Sequence, residues 1–132
     1  MKILRASHLG MCFGVRDAIA LALDQPGPVT ILGDLVHNET VLQQLRSQGV
    51  RTEHQVASVT TPAVMITAHG ASQKTMGRLR QRGLEVIEAT CPLVHVAHRA
   101  VAGLVAHGFH PVIIGRRDHV EVRGMTEDLA EF

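Results

Sequence analysis

The sequence predicts an α/β fold in which strands and helices alternate and the sheet is mostly parallel. Three observations lead there. Short β-branched apolar runs alternate with segments whose apolar residues recur at helical spacing. A glycine stands between a helical segment and a following apolar one three times, in Gln48-Gly49-Val50, Arg82-Gly83-Leu84 and His107-Gly108-Phe109. The links between elements are short, and alternating elements joined this way form a parallel sheet covered on both faces.

Taken in order, Lys2-Ile3-Leu4-Arg5-Ala6 reads as a first strand. Cys12 to Gln25 carries Val15, Ile19, Ala22 and Leu23 at helical spacing, and Pro26-Gly27-Pro28 ends that helix. Val29-Thr30-Ile31-Leu32 is a second strand. Asn38 to Gln48 is a second helix with Val41, Leu42 and Leu45 on one face and Gly49 as its C′ residue. After a loop come a third strand, Ala63-Val64-Met65-Ile66-Thr67, and a third helix capped by Ser72 and running to Arg82. Leu84-Glu85-Val86-Ile87 reads as a buried fourth strand, and a fourth helix runs from Pro92 to about His107. Pro111-Val112-Ile113-Ile114 reads as a fifth strand. Leu45, Ile66 and Val86 lie on apolar faces of separate elements and are expected to be nearly buried.

The composition bounds the function. A chain of 132 residues allows one ordinary domain, or one domain and part of another, with the change expected near Cys91. The core is aliphatic, with three Phe and no Trp or Tyr. A net charge of +1, no basic block and few aromatic rings argue against nucleic acid as a partner. Met1-Lys2-Ile3-Leu4-Arg5 breaks off too soon for a signal peptide, and no apolar run is long enough to span a membrane. Two cysteines without an export signal do not suggest a disulfide framework, so a cytoplasmic protein is expected.

The chemistry-bearing residues fall between the elements. Ala89-Thr90-Cys91-Pro92-Leu93-Val94 joins the fourth strand to the fourth helix. Pro92 suits a first helical turn and Thr90 suits an N-cap, which puts Cys91 at a helix N-terminus whose partial positive charge favours a thiolate. Cys12 lies in Gly10-Met11-Cys12-Phe13-Gly14-Val15, His37 in Leu35-Val36-His37-Asn38 and His69 in Ala68-His69-Gly70. His119 and Glu121 follow the fifth strand in Asp118-His119-Val120-Glu121. Each strand-to-helix junction thus carries a Cys or a His, all on one edge of a parallel sheet, where α/β folds bind ligands. A single histidine there is usually a cap or a solvated residue, but five successive junctions form a pattern.

Cysteine with histidine can mean zinc, yet a closed structural zinc site uses paired ligands at short spacing, and here the cysteines are far apart. Histidines grouped at helix N-termini suit an anion, because imidazolium and free N–H groups both favour phosphate. A soft metal centre on thiolates beside a phosphate pocket uses all of these residues. Gly10 and Gly14 follow the first strand, but G-x-G-x-x-G is absent, so no nicotinamide or flavin fingerprint is visible.

In these segments, in their order and at about their spacing, the chain resembles the 4-hydroxy-3-methylbut-2-enyl diphosphate reductases, iron–sulfur enzymes of the last step of the methylerythritol phosphate route to isoprenoids. The resemblance covers the whole chain as the family's N-terminal portion and implies three α/β modules around a central cluster. Residues 1–90 would be the first module and 91–132 the start of the second. It implies a four-iron four-sulfur cluster on three cysteines, of which Cys12 and Cys91 match two. His37, His69 and His119 match the histidines around the diphosphate and the substrate hydroxyl, and Glu121 matches the glutamate that directs proton delivery, with His119 beside it. The implied reaction is reductive dehydroxylation to isopentenyl and dimethylallyl diphosphate, with electrons from a donor such as ferredoxin or flavodoxin.

Two departures stand out. The sequence has no third cysteine, so a partial chain, inactive alone, is expected. Val120 stands where the family has proline, in Asp118-His119-Val120-Glu121-Val122-Arg123-Gly124. Two other readings are a non-catalytic α/β module that binds a phosphorylated ligand through the histidines, and a two-cysteine metal module completed across a dimer.

Overall fold

The computed structural model describes residues 2–7, 10–36 and 38–130. The elements in order are helix α1 (Phe13–Leu23), strand β1 (Val29–Leu32), α2 (Glu39–Ser47), β2 (Arg51–Glu53), a 3-10 turn (Val56–Ser58), β3 (Ala63–Ile66), α3 (Gln73–Gln81), β4 (Glu85–Glu88), α4 (Pro92–Ala106) and α5 (Val120–Thr126). The four strands pair in parallel in the order β2-β1-β3-β4, with Ile31 opposite Met65 and Met65 opposite Ile87.

That order decides where the helices lie. The step from β1 through α2 to β2 runs one way across the sheet, and the step from β3 through α3 to β4 runs the other. Right-handed crossovers in opposite directions place their helices on opposite faces. The side chains agree. Ile31 and Met65 point to the face that buries Ala18 and Ala22 of α1 with Leu42 and Leu45 of α2. Val64 and Ile66, alternating with Met65 along the strand, point to the face that buries Met76 and Leu79 of α3. Between β1 and β3 the direction reverses, and an α/β sheet opens a crevice at the carboxyl ends of such strands.

The three glycines between helix and apolar segment are C′ residues, as the sequence predicts. Gly49, Gly83 and Gly108 have φ of 85°, 73° and 78°. After α2, Gly49 N–H donates to Arg46 O and Val50 N–H to Leu45 O; α3 and α4 end with the same pair of bonds. These Schellman closures satisfy helix-end carbonyls and turn the chain back toward the sheet.

Several expectations are corrected. Residues 2–6 and 111–114 do not form strands: Leu4 is 83% and Ile114 97% exposed, and neither segment pairs with the sheet. An apolar β-branched run can be buried in a sheet, but a strand exists only where a partner takes its N–H and C=O groups. The loop after α2 contains an unforeseen strand, β2, whose Arg51-Thr52-Glu53 lacks an apolar run because it is an edge. The fourth strand begins at Glu85, and because it is the other edge Val86 is half-buried, whereas Leu45 and Ile66 are buried. The N-cap of α4 is Cys91 itself, one residue after Thr90.

Candidate functional site

Cys12 is the N-cap of α1, extended at φ −64° and ψ 164°, with its thiol exposed. No described strand precedes α1, so Cys12 does not follow a strand end as expected. Cys91, the N-cap of α4, lies against the first turn of α1. Its N–H donates to Ala68 O at 2.9 Å, which pins the start of α4 to the turn after β3. Its sulfur lies against the first turn of α1, 2.8 Å from the point where a Cβ on Gly14 would sit. The absent side chain of Gly14 therefore lets the thiol of Cys91 reach the helix that begins at Cys12. Both cysteines are free thiols.

The turn that Cys91 pins carries His69. Gly70 follows at φ 76°, and a Cβ there would lie 3.1 Å from Thr90 Cγ2 and 3.2 Å from Val94 Cγ1. Only a glycine lets the first turn of α4 pack so closely. The His69 side chain is 14% exposed and its Nδ1 lies 2.9 Å from Glu121 Oε1. A carboxylate accepts, so Nδ1 carries the proton.

Glu121 stands in the first turn of α5, where the helix end favours its negative charge. His119 caps that helix and accepts from the Glu121 N–H through Nδ1 at 3.3 Å, which puts a neutral His119 proton on Nε2. The rings of His69 and His119 meet edge to face with centroids 5.7 Å apart. The structure therefore joins His69 to His119 and Glu121, although His69 and Glu121 are 52 positions apart in sequence. Among the described residues no strand lies between α4 and His119, but α5 still starts at Val120, the N1 position that proline favours. His37 lies outside the described residues.

Contacts that sequence reasoning missed fasten α5 in place. Asp128 accepts from the N–H groups of Gln73 and Lys74 at 2.7 and 3.0 Å, and Glu127 accepts from the hydroxyls of Ser72 and Thr75. Residues after α5 thus cap the N-terminus of α3. Their partners are more than fifty positions away, and no local pattern signals them. His98 is a further residue of the site region, and its spacing could have found it. It lies two turns after Cys91 on α4, hence on the same face.

A cavity of about 1020 Å³ opens at the carboxyl ends of β1 and β3 on the α3 side. Asp34, Thr67, Arg78, Arg82 and Arg123 line it. It shares Gly70 and Ser72 with the turn of His69 but contains neither cysteine nor Glu121. Arg82 is engaged by the carbonyls of Val56 and Val59, and Arg78 by Thr75 and by Glu127 at 3.7 Å, so these charges serve the chain itself. His69, His119 and Glu121, with Cys91 pinned to the His69 turn and Cys12 at the start of the helix that Cys91 touches, form the candidate site.

Among the described residues no three His, Cys, Asp or Glu side chains are grouped as metal ligands. Two soft thiol donors at helix starts, one cradled by a glycine, suit a metal–sulfur group that takes further ligands from elsewhere. Among the described residues, no helix is long and apolar enough to cross a membrane.

Residues 3–131 match the model of the family described as LytB protein. The chain is similar to the 4-hydroxy-3-methylbut-2-enyl diphosphate reductase of Brevibacillus brevis, at 38% identity over 94% of this chain and 44% of that protein. The reductase of the same name from Aquifex aeolicus is 36% identical over 94% of this chain and 44% of its own length. Among solved structures, the E-1-hydroxy-2-methyl-but-2-enyl-4-diphosphate reductase of Plasmodium falciparum aligns with a TM-score of 0.85 and 29% identity, covering 90% of this chain and 39% of that one. A second, the (E)-4-hydroxy-3-methyl-but-2-enyl diphosphate reductase called the terminal enzyme of the non-mevalonate pathway, aligns at 0.78 and 37% over 93% and 45%. The chain spans less than half the length of these relatives.

Proposed function

The chain belongs to the LytB protein family, and we propose that it supplies one part of a reductase that removes the hydroxyl of 4-hydroxy-3-methylbut-2-enyl diphosphate. One observation carries the reading. His69 Nδ1 donates to Glu121 at 2.9 Å, with the ring of His119 against it, in the turn that Cys91 pins to the sheet. A proton-bearing pair thus shares a turn with the backbone contact of Cys91.

The net reaction breaks one C–O bond. Two electrons and two protons convert the allylic alcohol into a C–H bond and water. Glu121 accepts the His69 Nδ1–H at one oxygen, and its other oxygen takes up a proton and delivers it as the hydroxyl leaves. His119 offers its Nε2 proton, and with His37 and His69 it binds and neutralises the diphosphate. Cys12 and Cys91 would hold two irons of a four-iron four-sulfur cluster, which when bound supplies the electrons and a Lewis acid for the leaving oxygen. The electrons come from a small redox protein such as ferredoxin or flavodoxin.

The reading also organises the chain. Residues 1–90 form a first module and 91–132 begin a second. Two features support this division: α4 has no buried residue, and Val112 and Ile114 are exposed although their composition suits a sheet.

Anaerobic purification of a chain extended through a third cysteine, with iron, sulfide and turnover analysis, tests the proposal. About four irons per chain and consumption of the hydroxylated diphosphate with a chemical reductant support it. A colourless extended chain that binds inorganic diphosphate and does not turn over would leave the phosphate-binding module instead.

A further inference from the structure

His98 belongs to none of the motifs above, yet it touches the segments that carry two of the site residues. A Cβ on Gly70 would meet its Nε2 at 3.6 Å, and one on Gly124 would meet its Cε1 and Nε2 at 3.5 and 3.6 Å. Gly70 follows His69 directly. Gly124 lies one turn after Glu121 on α5. The edge of the imidazole is thus seated between two glycines, one beside each member of the hydrogen-bonded pair. Among the described residues Nε2 is enclosed and has no hydrogen-bond partner.

We propose that His98 is a positioning residue for the His69–Glu121 pair, with its imidazole acting as the flat spacer that sets α5 against the His69 turn. The contacts show why a spacer is needed. Gly70 and Gly124 have no side chains to fill the gap between the turn and α5. Without a ring there, α5 can move toward α4 and away from His69. A bond of 2.9 Å between residues 52 positions apart tolerates little such movement. The ring is also suited to stay neutral. Burial lowers its pKa below the ordinary histidine value and nearby His95 lowers it further, against the opposing pull of Asp128, Glu121 and Glu88. A neutral ring brings no uncompensated charge to the two glycines. The significance of the pair rests on the reading of His69 and Glu121 as site residues, but its geometry does not.

The test is ¹⁵N and proton NMR of the 132-residue chain, without substrate or metal. In the parent chain, the His98 ring proton on Cε1 gives cross-peaks to the α-protons of Gly70 and Gly124; their absence overturns the proposal. His69, held by Glu121, shows the wide separation of ring nitrogen shifts that belongs to a single Nδ1–H tautomer. His98→Ala collapses that separation toward the averaged pattern of Glu121→Gln, while His98→Gln, flat and neutral, retains it. Val101→Ala, one turn further along α4, leaves it unchanged. If His98→Ala keeps the parent pattern, or Val101→Ala disturbs it equally, His98 is ordinary packing. If His98→Ala does not fold, His98→Gln decides: a collapsed pattern in that folded variant refutes the spacer, and a retained one with the cross-peaks sustains it. Because turnover is not measured, failure of the spacer and failure of the reductase reading are separate results.

Discussion

The sulfur of Cys91 lies 2.8 Å from the position a Cβ on Gly14 would take, and the Cys91 Cβ lies 3.0 Å from it. An alanine at Gly14 must therefore displace Cys91 or tilt α1. Glycine to alanine inside a helix normally stabilises by up to ~1 kcal/mol. Overpacking of a buried contact costs ~1–3 kcal/mol and wins here. Gly14→Ala is expected to lower stability in urea melts by about 1 kcal/mol net. Gly77→Ala and Gly103→Ala, in α3 and α4 with open space around the new methyl, are expected to be neutral or stabilising. A stabilised Gly14→Ala would show that Cys91 is not held against the first turn of α1 by this contact.

Ile66 and Val86 separate centre from edge in the same sheet. Ile66 is buried in β3 between two strands, and Val86 is half-buried in β4. Ile66→Ala is expected to cost ~2–5 kcal/mol in denaturant melts. Val86→Ala is expected to cost about 1 kcal/mol, since roughly half as much apolar surface leaves the core. Equal losses would mean that β4 is covered by more than the described residues provide.

These two residues also show what the sequence makes legible. Ile66 and Val86 occur in similar apolar runs, and periodicity identifies both runs as strands. It does not say which one has a neighbour on each side, because pairing is settled by the crossovers. The same limit explains Lys2–Ala6 and Pro111–Ile114, which have strand composition and no pairing partner. Helix ends were legible because their causes are local: Ser72 and Asn38 accept from Thr75 and Val41 N–H groups, and Gly49, Gly83 and Gly108 take positive φ. At the site, the helix-start positions of Cys12 and Cys91 and the place of His69 in the turn after β3 could be read from nearby glycine and proline, whereas α5, the helix that His119 caps, was not foreseen. The bond from His69 to Glu121, the Asp128 cap on α3 and the seat of His98 could not, because each joins segments that only the fold brings together.

His98 gives a pH dependence with a definite sign. Its folded pKa lies below the ordinary value, through burial first, while in the unfolded chain it titrates near 6.5. Below that value the unfolded chain binds more protons at this position, so acidification favours unfolding. The contribution is intact above about pH 6.5 and is lost as pH falls from there toward the folded pKa. Replacing His98 by glutamine removes this component alone. The parent chain is expected to lose more stability between neutral and mildly acidic pH than His98→Gln does, as read by urea midpoints. Parallel curves would show that the ring is solvated in both states.

The final prediction concerns turnover by the 132 residues alone. They contain two cysteines, where the proposed cluster takes three. Two irons of a four-iron group would then lack protein ligands, and water or oxygen would strip them. Cys12 is also exposed, so the half-held centre has little protection. The diphosphate would be open to water from the side that these residues do not cover, which weakens each charge interaction made by His69 and His119. The 132-residue chain is therefore expected to show no robust consumption of the hydroxylated diphosphate in an anaerobic assay with a chemical reductant and a mediator. A chain extended through a third cysteine is expected to recover iron and activity together. In that longer chain Glu121→Gln is expected to slow turnover by about 10²-fold or more, the loss of a general acid, with iron content unchanged. Activity of the 132-residue chain as a monomer would show that the third thiolate is dispensable. Activity only at concentrations where it self-associates would mean that a neighbouring copy lends the missing ligand.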